Sequence, residues 1–300
     1  TPTSITPTTG SEGTAEYTLG FSLNGRPNGS ERLTILPSSD TSIQDAVGNS
    51  ASLSQTDGNN TVSLYDQSEY SIFIDIYGAQ HLILINNEPK SIESTTYTDV
   101  IGITNLKSVT VSKDVKHIGS GAFNLATSLT EVIFEEVSTL ETIGTSAFQG
   151  ATGLTSVTIP NSVTSIGDRA FWSATSLTEV TFESDSTLKT IGYGAFNNTR
   201  FTSFTIPATV TSIGREAFQS ARELTSITIP AGVTSIGNST FFRAHSLAEV
   251  EFATDGSLNS IGNNAFRENR SLTSINIPKS VTSIGTDAFL GAALLQTINV

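Results

Sequence analysis

The chain has no cysteine and no methionine, and only one tryptophan and three histidines among its 300 residues. Without Cys there is no disulfide, no thiolate nucleophile and no Cys-ligated zinc. Without Met there is no initiator residue, so the sequence reads as a mature segment or fragment of a longer precursor. Basic residues are scarce as well: 15 Lys plus Arg stand against 28 Asp plus Glu, a net charge of −13. A field of that sign repels phosphate, which makes nucleic acid and anionic membrane poor partners. No run approaches the roughly 18–20 apolar residues of a membrane span, and no basic-then-apolar leader opens the chain.

Charge of either sign makes up only 14% of the residues, too little for a charge-rich disordered tail. Thr, Ser, Gly and Asn take its place, and they are arranged periodically. A motif Ile-Gly-x-x-Ala-Phe recurs from Ile118 onward, with its ring at Phe123, Phe148, Phe171, Phe196, Phe218, Phe241, Phe266 and Phe289. The spacings are 25, 23, 25, 22, 23, 25 and 23 residues, and Thr240 is the one departure from Ala. After each Phe comes a second motif, Leu-x-x-Val-x-Ile, as in Leu154/Val157/Ile159 and Leu177/Val180/Phe182; an earlier set stands at Leu106/Val109/Val111. Repetition at this period marks an array of stacked units.

Val157 and Ile159 are two residues apart, so on a strand both face inward while Ser156 and Thr158 face out. Pro160, Pro207, Pro230 and Pro278 follow such strands and cannot donate a ladder hydrogen bond, so the strand ends there. Gly167 and its equivalents are expected to form tight corners with φ > 0, after which Ala-Phe tucks a ring under the next coil. One coil cannot bury its own apolar edge. Stacked coils can, their strands pairing in parallel at about 4.8 Å per repeat. The 25-residue coils carry two extra residues between strand and Ile-Gly, as from Phe134 to Ile143 against Ile159 to Ile166, and these map to one rim.

Residues 104–300 resemble the BspA-like branch of the leucine-rich repeats. Leu154-Thr-Ser-Val-Thr-Ile-Pro160, Ser162-Val-Thr-Ser-Ile-Gly167 and Ala170-Phe171 follow the family pattern nearly letter for letter. The resemblance implies a mainly β solenoid, with a parallel sheet on its concave face and short turns, 3-10 or helical pieces on its convex face. It also implies bacterial surface display and attachment. The family often has Cys three residues after the Phe; here the positions hold Ala126, Ala151, Ala174, Thr199, Ala221, Ala244, Asn269 and Ala292. Small residues keep the packing and remove the thiol, which suits an oxidising exterior.

Residues 1–76 do not share the repeat. A Thr/Pro-rich run, Thr1 to Pro7, reads as a linker. Strand-like runs follow at 16–23, 32–36, 61–65 and 70–76, separated by Gly/Asn/Asp clusters, a pattern that suggests a β-sandwich. The segment Ile43-Gln-Asp45-Ala-Val-Gly-Asn49 resembles the Asp-x-x-Gly-Asn signature of bacterial Ig-like modules, which implies an N-terminal Ig-like β-sandwich. Residues 77–103 fit neither part and are read as the cap or linker that covers the first coil. Acidity is concentrated early: residues 1–100 hold 12 acidic and 3 basic residues, and the rest hold 16 and 12.

Enzyme chemistry finds no support. His81, His117 and His245 are dispersed, none with a second ligand at metal spacing, and there is no Gly-x-Ser-x-Gly elbow. No catalytic, cofactor-binding or metal residue is assigned in the repeats, and the chain is not expected to be an enzyme. The candidate ligand surface is the outward strand row: Glu131, Ser156, Thr158, Glu179, Thr181, Ser203, Thr205, Ser226, Thr228, Glu249, Glu251, Ser274 and Asn276. It reads as a shallow polar groove for a protein or glycan, or as a hydroxylated face selected for solubility and β propensity. It lacks the aromatic and Arg anchors of interface hot spots. An ice-binding face is disfavoured because four glutamates interrupt the rows. Trp172, Phe242 and Leu290, each next to a core Phe, are either anchors on one flank, near Arg243 and Arg267, or packing between coils. Asp40, Asp45, Asn49, Asp57, Asn59 and Asp66 could supply oxygen ligands for Ca²⁺, or serve simply as turn formers.

The expectation is therefore an extracellular, cell-surface adhesion or recognition protein, monomeric, that binds a protein or glycan through the concave face. The alternative is a structural spacer of a surface fibre. Val300 ends inside a strand motif, so the array is expected either to continue beyond it or to have lost a C-terminal cap.

Overall fold

The computed structural model describes all residues from 103 onward and, before them, the backbone of the strands Pro2–Thr8, Glu16–Phe21, Glu31–Thr34, Thr61–Leu64, Ser71–Ile74, Gln80–Leu84 and Ser91–Ile92. Two compact units divide the chain, Thr1–His81 and Leu82–Val300. In the first, Pro2–Thr8 pairs antiparallel with Glu16–Phe21, and Glu31–Thr34 with Thr61–Leu64. The Thr/Pro-rich start, expected as a linker, is thus a strand. Pro is tolerated in a strand at a sheet edge, where a missing N–H costs no ladder bond. The Asp45–Asn49 signature and the six candidate Ca²⁺ ligands lie outside the described residues.

The second unit is a mainly β solenoid. A coil contributes a long strand of the Val-x-Ile type, reduced to a single bridge at Ser203 in the 22-residue coil, and a short strand just before its Gly. The long strands begin with Leu106–Val111, Glu131–Phe134, Ser156–Ile159 and Glu179–Phe182, and end with Thr297–Asn299. The short ones pair in parallel as six rungs from Ser91–Ile92 to Ser212–Ile213, then as three from Ser235–Ile236 to Ser283–Ile284. Ser91–Ile92, within the segment expected to cap the array, lies in register with His117–Ile118 as one more rung. The remainder of each coil is turn. Among the described residues the only helix is the 3-10 turn Ile103–Asn105.

The core follows from the repeat. Inward Leu, Val and Ile of every coil up to Ile277 are buried, and the Phe rings from Phe123 to Phe266 are fully so. The rings form one column with centroids 5.1–5.8 Å apart and planes within 15° of parallel, the offset stacking that aromatic quadrupoles favour. The widest step, 5.8 Å between Phe196 and Phe218, spans the 22-residue coil. There Phe201 and Phe204 replace the usual Leu and Val, and Phe204 packs 5.0 Å from both columnar rings. Extra ring volume fills the place of the missing residue.

Backbone hydrogen bonds hold the column in register. The N–H of Phe148 donates to Ala170 O at 2.7 Å, and that of Phe171 to Ala195 O at 2.8 Å. The turn around each Phe needs two left-handed residues, one on either side: Ser146 (φ 55°) and Gly150 (φ 70°) flank Phe148, and Arg169 and Ser173 flank Phe171.

The Ile-Gly glycines do not supply this left-handed backbone; none has positive φ, which corrects the sequence expectation. They are required because coils touch through them. A Cβ on Gly167 would lie 2.7 Å from the carbonyl carbon of Gly144, one on Gly192 2.6 Å from that of Gly167, and one on Gly214 2.5 Å from that of Gly192. Glycine rests on glycine from coil to coil.

The recurrent threonines also have a structural task. Thr130 Oγ1 donates to Lys107 O at 3.1 Å, Thr178 to Thr155 O at 3.2 Å and Thr225 to Thr202 O at 3.0 Å. Each hydroxyl ties one coil to the coil before it, satisfying a backbone carbonyl at the sheet margin.

Candidate functional site: the long-strand face

The outward positions of the long strands align as the two-residue period requires. Glu131 stands opposite Ser108, Glu179 opposite Ser156 and Glu249 opposite Ser226; Ser203 bridges Ser226 and Ser274 pairs with Thr297. The second row sets Thr181 beside Thr158, Glu251 beside Thr228 and Asn299 beside Asn276. Thr205 lies exposed on the coil between. Part of this row is satisfied internally: Thr158 and Thr181 hydroxyls are 2.9 Å apart, Thr228 Oγ1 donates to Glu251 at 3.3 Å, and Asn299 Nδ2 donates to Asn276 Oδ1 at 2.6 Å.

The face is interrupted, and proline decides where. In a paired step the residue after the second strand donates back across it: Glu135 N–H to Val111 O, Glu183 N–H to Ile159 O and Ala253 N–H to Ile229 O, each at 3.0 Å. The residues that would donate in the same way to the carbonyls of Phe134, Phe182 and Phe252 are Pro160, Pro207 and Pro278, which have no N–H. At those steps the two strands form no ladder, and at Pro230 only the single bridge Ser203–Ser226 survives. The sheet is thereby cut largely into strand pairs.

An open cleft marks each of the three Phe steps. The first, about 280 Å³, is lined by Glu131, Ile133, Phe134, Thr158 and Glu183 among others. The second, about 530 Å³, includes Phe182, Glu183, Asp185 and Thr205. The third, about 760 Å³, includes Glu249, Glu251, Phe252, Ser274 and Asn276. Each has a half-buried Phe and two carboxylates, and none is lined by Lys, Arg or His. Sequence reasoning found the Glu, Ser and Thr positions but missed the clefts. Their signal, Phe ending one strand and Pro following the next, was in the sequence.

Charge is segregated around the solenoid. All seven arginines from residue 103 onward occupy the turns that carry or follow the Phe column: Arg169, Arg200, Arg215, Arg222, Arg243, Arg267 and Arg270. The guanidinium of Arg169 lies 5.3 Å from the Trp172 ring and 5.2 Å from that of Tyr193, and Arg215 lies 4.9 Å from Tyr193. Arg243 and Arg267 flank Phe242 at 4.8 and 5.8 Å. Trp172 and Phe242 are thus half-buried between coils and roofed by arginine, while Leu290 is 50% exposed. On this flank Glu268 is 3.4 Å from both Arg243 and Arg270, and these cations, joined by Arg267, hold its carboxyl below the usual range against burial, which acts to raise it. Burial, then Arg270, Arg222 and Arg243, push His245 below the ordinary imidazole value, while Glu268 opposes them. Across the solenoid, Lys116 lowers the Glu141 carboxyl through a 2.7 Å hydrogen bond and its charge. His117 bonds Thr142 at 2.9 Å. Among the described residues no group of three His, Asp or Glu side chains could hold a metal, and no helix is long and apolar enough to cross a membrane.

A solenoid of parallel short-strand coils, with a stacked Phe column and one polar strand face, is a leucine-rich repeat architecture. The sequence matches the BspA type Leucine rich repeat region (6 copies) over residues 90–221 and 189–300, and the chain belongs to that family, whose fold is typical of bacterial surface proteins. Two solved structures share the fold. The T. pallidum Leucine Rich Repeat protein is 21% identical with a TM-score of 0.50, over 77% of this chain and 90% of that one. A leucine-rich repeat protein from Eubacterium ventriosum is 22% identical with a TM-score of 0.51, over 78% of this chain and 70% of that one. No curated protein matches the sequence significantly.

Proposed function

We propose that this is an extracellular recognition protein of a bacterial surface, which attaches to a protein or glycan through the long-strand face of its solenoid. The observation that carries the reading is the strand face itself: a polar row, in register within each strand pair and broken between pairs by clefts that the core does not need. Family membership supports display outside the cell and a binding rather than a catalytic role. Nothing in this reading requires a cofactor, and the protein acts as a monomer.

Beads coated with the full chain should adhere to cells or immobilised matrix proteins. Replacing Thr158, Thr181, Thr205 and Thr228 by lysine should abolish the adhesion. Unchanged adhesion would favour the second reading, a spacer without a specific ligand. One observation supports that alternative: the Thr158–Thr181 and Asn276–Asn299 contacts already consume part of the row's hydrogen-bonding capacity.

A further inference from the structure

Resting on the reading of the long-strand face as the binding surface, we infer that its ligand is a basic polypeptide segment whose Lys or Arg side chains enter the proline-gated clefts. Three features of the clefts define the occupant. Their charged groups are all acceptors: Glu131 and Glu183 in the first, Glu183 and Asp185 in the second, Glu249 and Glu251 in the third. Among the described residues none of these carboxylates has an ion-pair partner within 4.0 Å. Glu183 accepts the Asn161 N–H and Glu251 the Thr228 hydroxyl, which leaves each a second oxygen.

The cleft wall at each step is a half-buried Phe rather than the buried Ile or Val of the other strands. A side chain that fits must lay an apolar stem along a ring and present a cation to carboxylates at the rim. Lys and Arg have that form, and a cation near an aromatic face gains further. From residue 103 onward the solenoid's own cations do not serve: its arginines lie in the turns around the Phe column, and Lys107 is the only basic residue on a long strand. An acidic polymer is repelled by the same groups.

Spacing adds a sequence requirement. The first two Phe steps, at Phe134 and Phe182, lie two coils apart, about 10 Å at the ~4.8 Å separation of neighbouring strands. An extended polyproline-type peptide rises about 3.1 Å per residue and returns a side chain to the same face every third residue. Basic residues at i and i+3 therefore reach both clefts at once.

The test uses the full chain and a dye-labelled peptide, Lys-Pro-Pro-Lys-Pro-Pro-Lys, read by fluorescence anisotropy at low ionic strength. A same-composition peptide with contiguous lysines and a neutral glucan oligosaccharide run alongside. The spaced peptide should bind best. Combining Glu183→Gln, Asp185→Asn, Glu249→Gln and Glu251→Gln should weaken it about tenfold, the order expected from several exposed charge pairs. Pro160→Ser, Pro207→Ser and Pro278→Ser keep every carboxylate but supply the missing N–H, so they should close the ladder and weaken binding as well. The inference is overturned if the peptide does not bind, if the proline variants bind like the parent, or if the neutral glucan binds and the peptide does not. If the peptide fails while adhesion still depends on the threonine row, only the basic-ligand inference falls and the adhesion reading stands.

Discussion

Replacing Gly192 by Ala tests the glycine-on-glycine contact most directly. The added Cβ would lie 2.6 Å from Gly167 C and 2.6 Å from Asp168 N, both backbone atoms of the preceding coil. Ordinary contact begins near 3.4 Å, so the coils must separate by about 1 Å. That movement stretches the Gly192 N–H bond to Ile166 O and the Lys189 N–H bond to Thr164 O, both now 2.8 Å, beyond hydrogen-bonding range. Two lost bonds at about 0.5–1.5 kcal/mol each, plus overpacking of about 1–3 kcal/mol, give a destabilisation of about 2–6 kcal/mol. For a unit of this size, at about 2–4 °C per kcal/mol, that is a fall in Tm of roughly 4–24 °C.

Urea unfolding followed by the fluorescence of Trp172 is the assay. This is the chain's one tryptophan, and its ring lies against Gly194 on the perturbed coil. Gly232→Ala is the internal control: its nearest atoms, Thr211 Cγ2 and Val210 O, are 3.1 Å away, so the change should cost about 1 kcal/mol or less. Gly192→Asn separates the two explanations of the glycine. Asn tolerates left-handed backbone better than Ala but is larger, so close approach predicts that Asn is worse. An Ala variant within 0.5 kcal/mol of the parent, or an Asn variant more stable than the Ala variant, would refute the reasoning.

Phe196→Ala should cost about 3–5 kcal/mol, because the ring stacks between Phe171 and Phe218 and meets Phe201 and Phe204; a thermal melt shifted by less than that of Gly232→Ala would contradict the column as the core. His245 is held below its ordinary value of 6.5, so the unfolded chain takes up its proton more readily. Its contribution is present above pH 6.5 and is lost as the pH falls below it. His245→Gln should therefore flatten the loss of urea resistance between pH 7.5 and 5.5, and an unaltered slope would show that the titrating group lies elsewhere. Glu141, lowered from 4.5 by Lys116, contributes stability that is present above pH 4.5 and lost as the pH drops through its depressed value. Lys116→Met should remove that part of the acid sensitivity in denaturant midpoints at pH 7 and 3.5.

Much of this molecule is legible in its sequence, because a solenoid repeats one local solution. The Phe positions, the alternating Val-x-Ile strands and the outward Ser, Thr and Glu row follow from periods of two and of 22–25 residues, and each lies where those periods put it. The Ile-Gly glycine was recognised as necessary but assigned the wrong cause. A sequence displays no distance between coils, so a steric requirement between Gly167 and Gly192 looks the same as a conformational one within either. The task of threonines such as Thr178 is hidden for the same reason: their acceptors are carbonyls one coil away.

The sequence by itself determined the repeat, the identity of the buried column and the face that meets solvent, since all three depend on residue type at fixed spacing along one chain. Tertiary structure alone decided where the strand sheet breaks, which flank collects the arginines over Trp172, Tyr193 and Phe242, and where clefts open beside Phe134, Phe182 and Phe252. The physical reason is that a proline removes a donor needed not by its own coil but by the carbonyl of the coil before it, and only stacking shows which carbonyl that is.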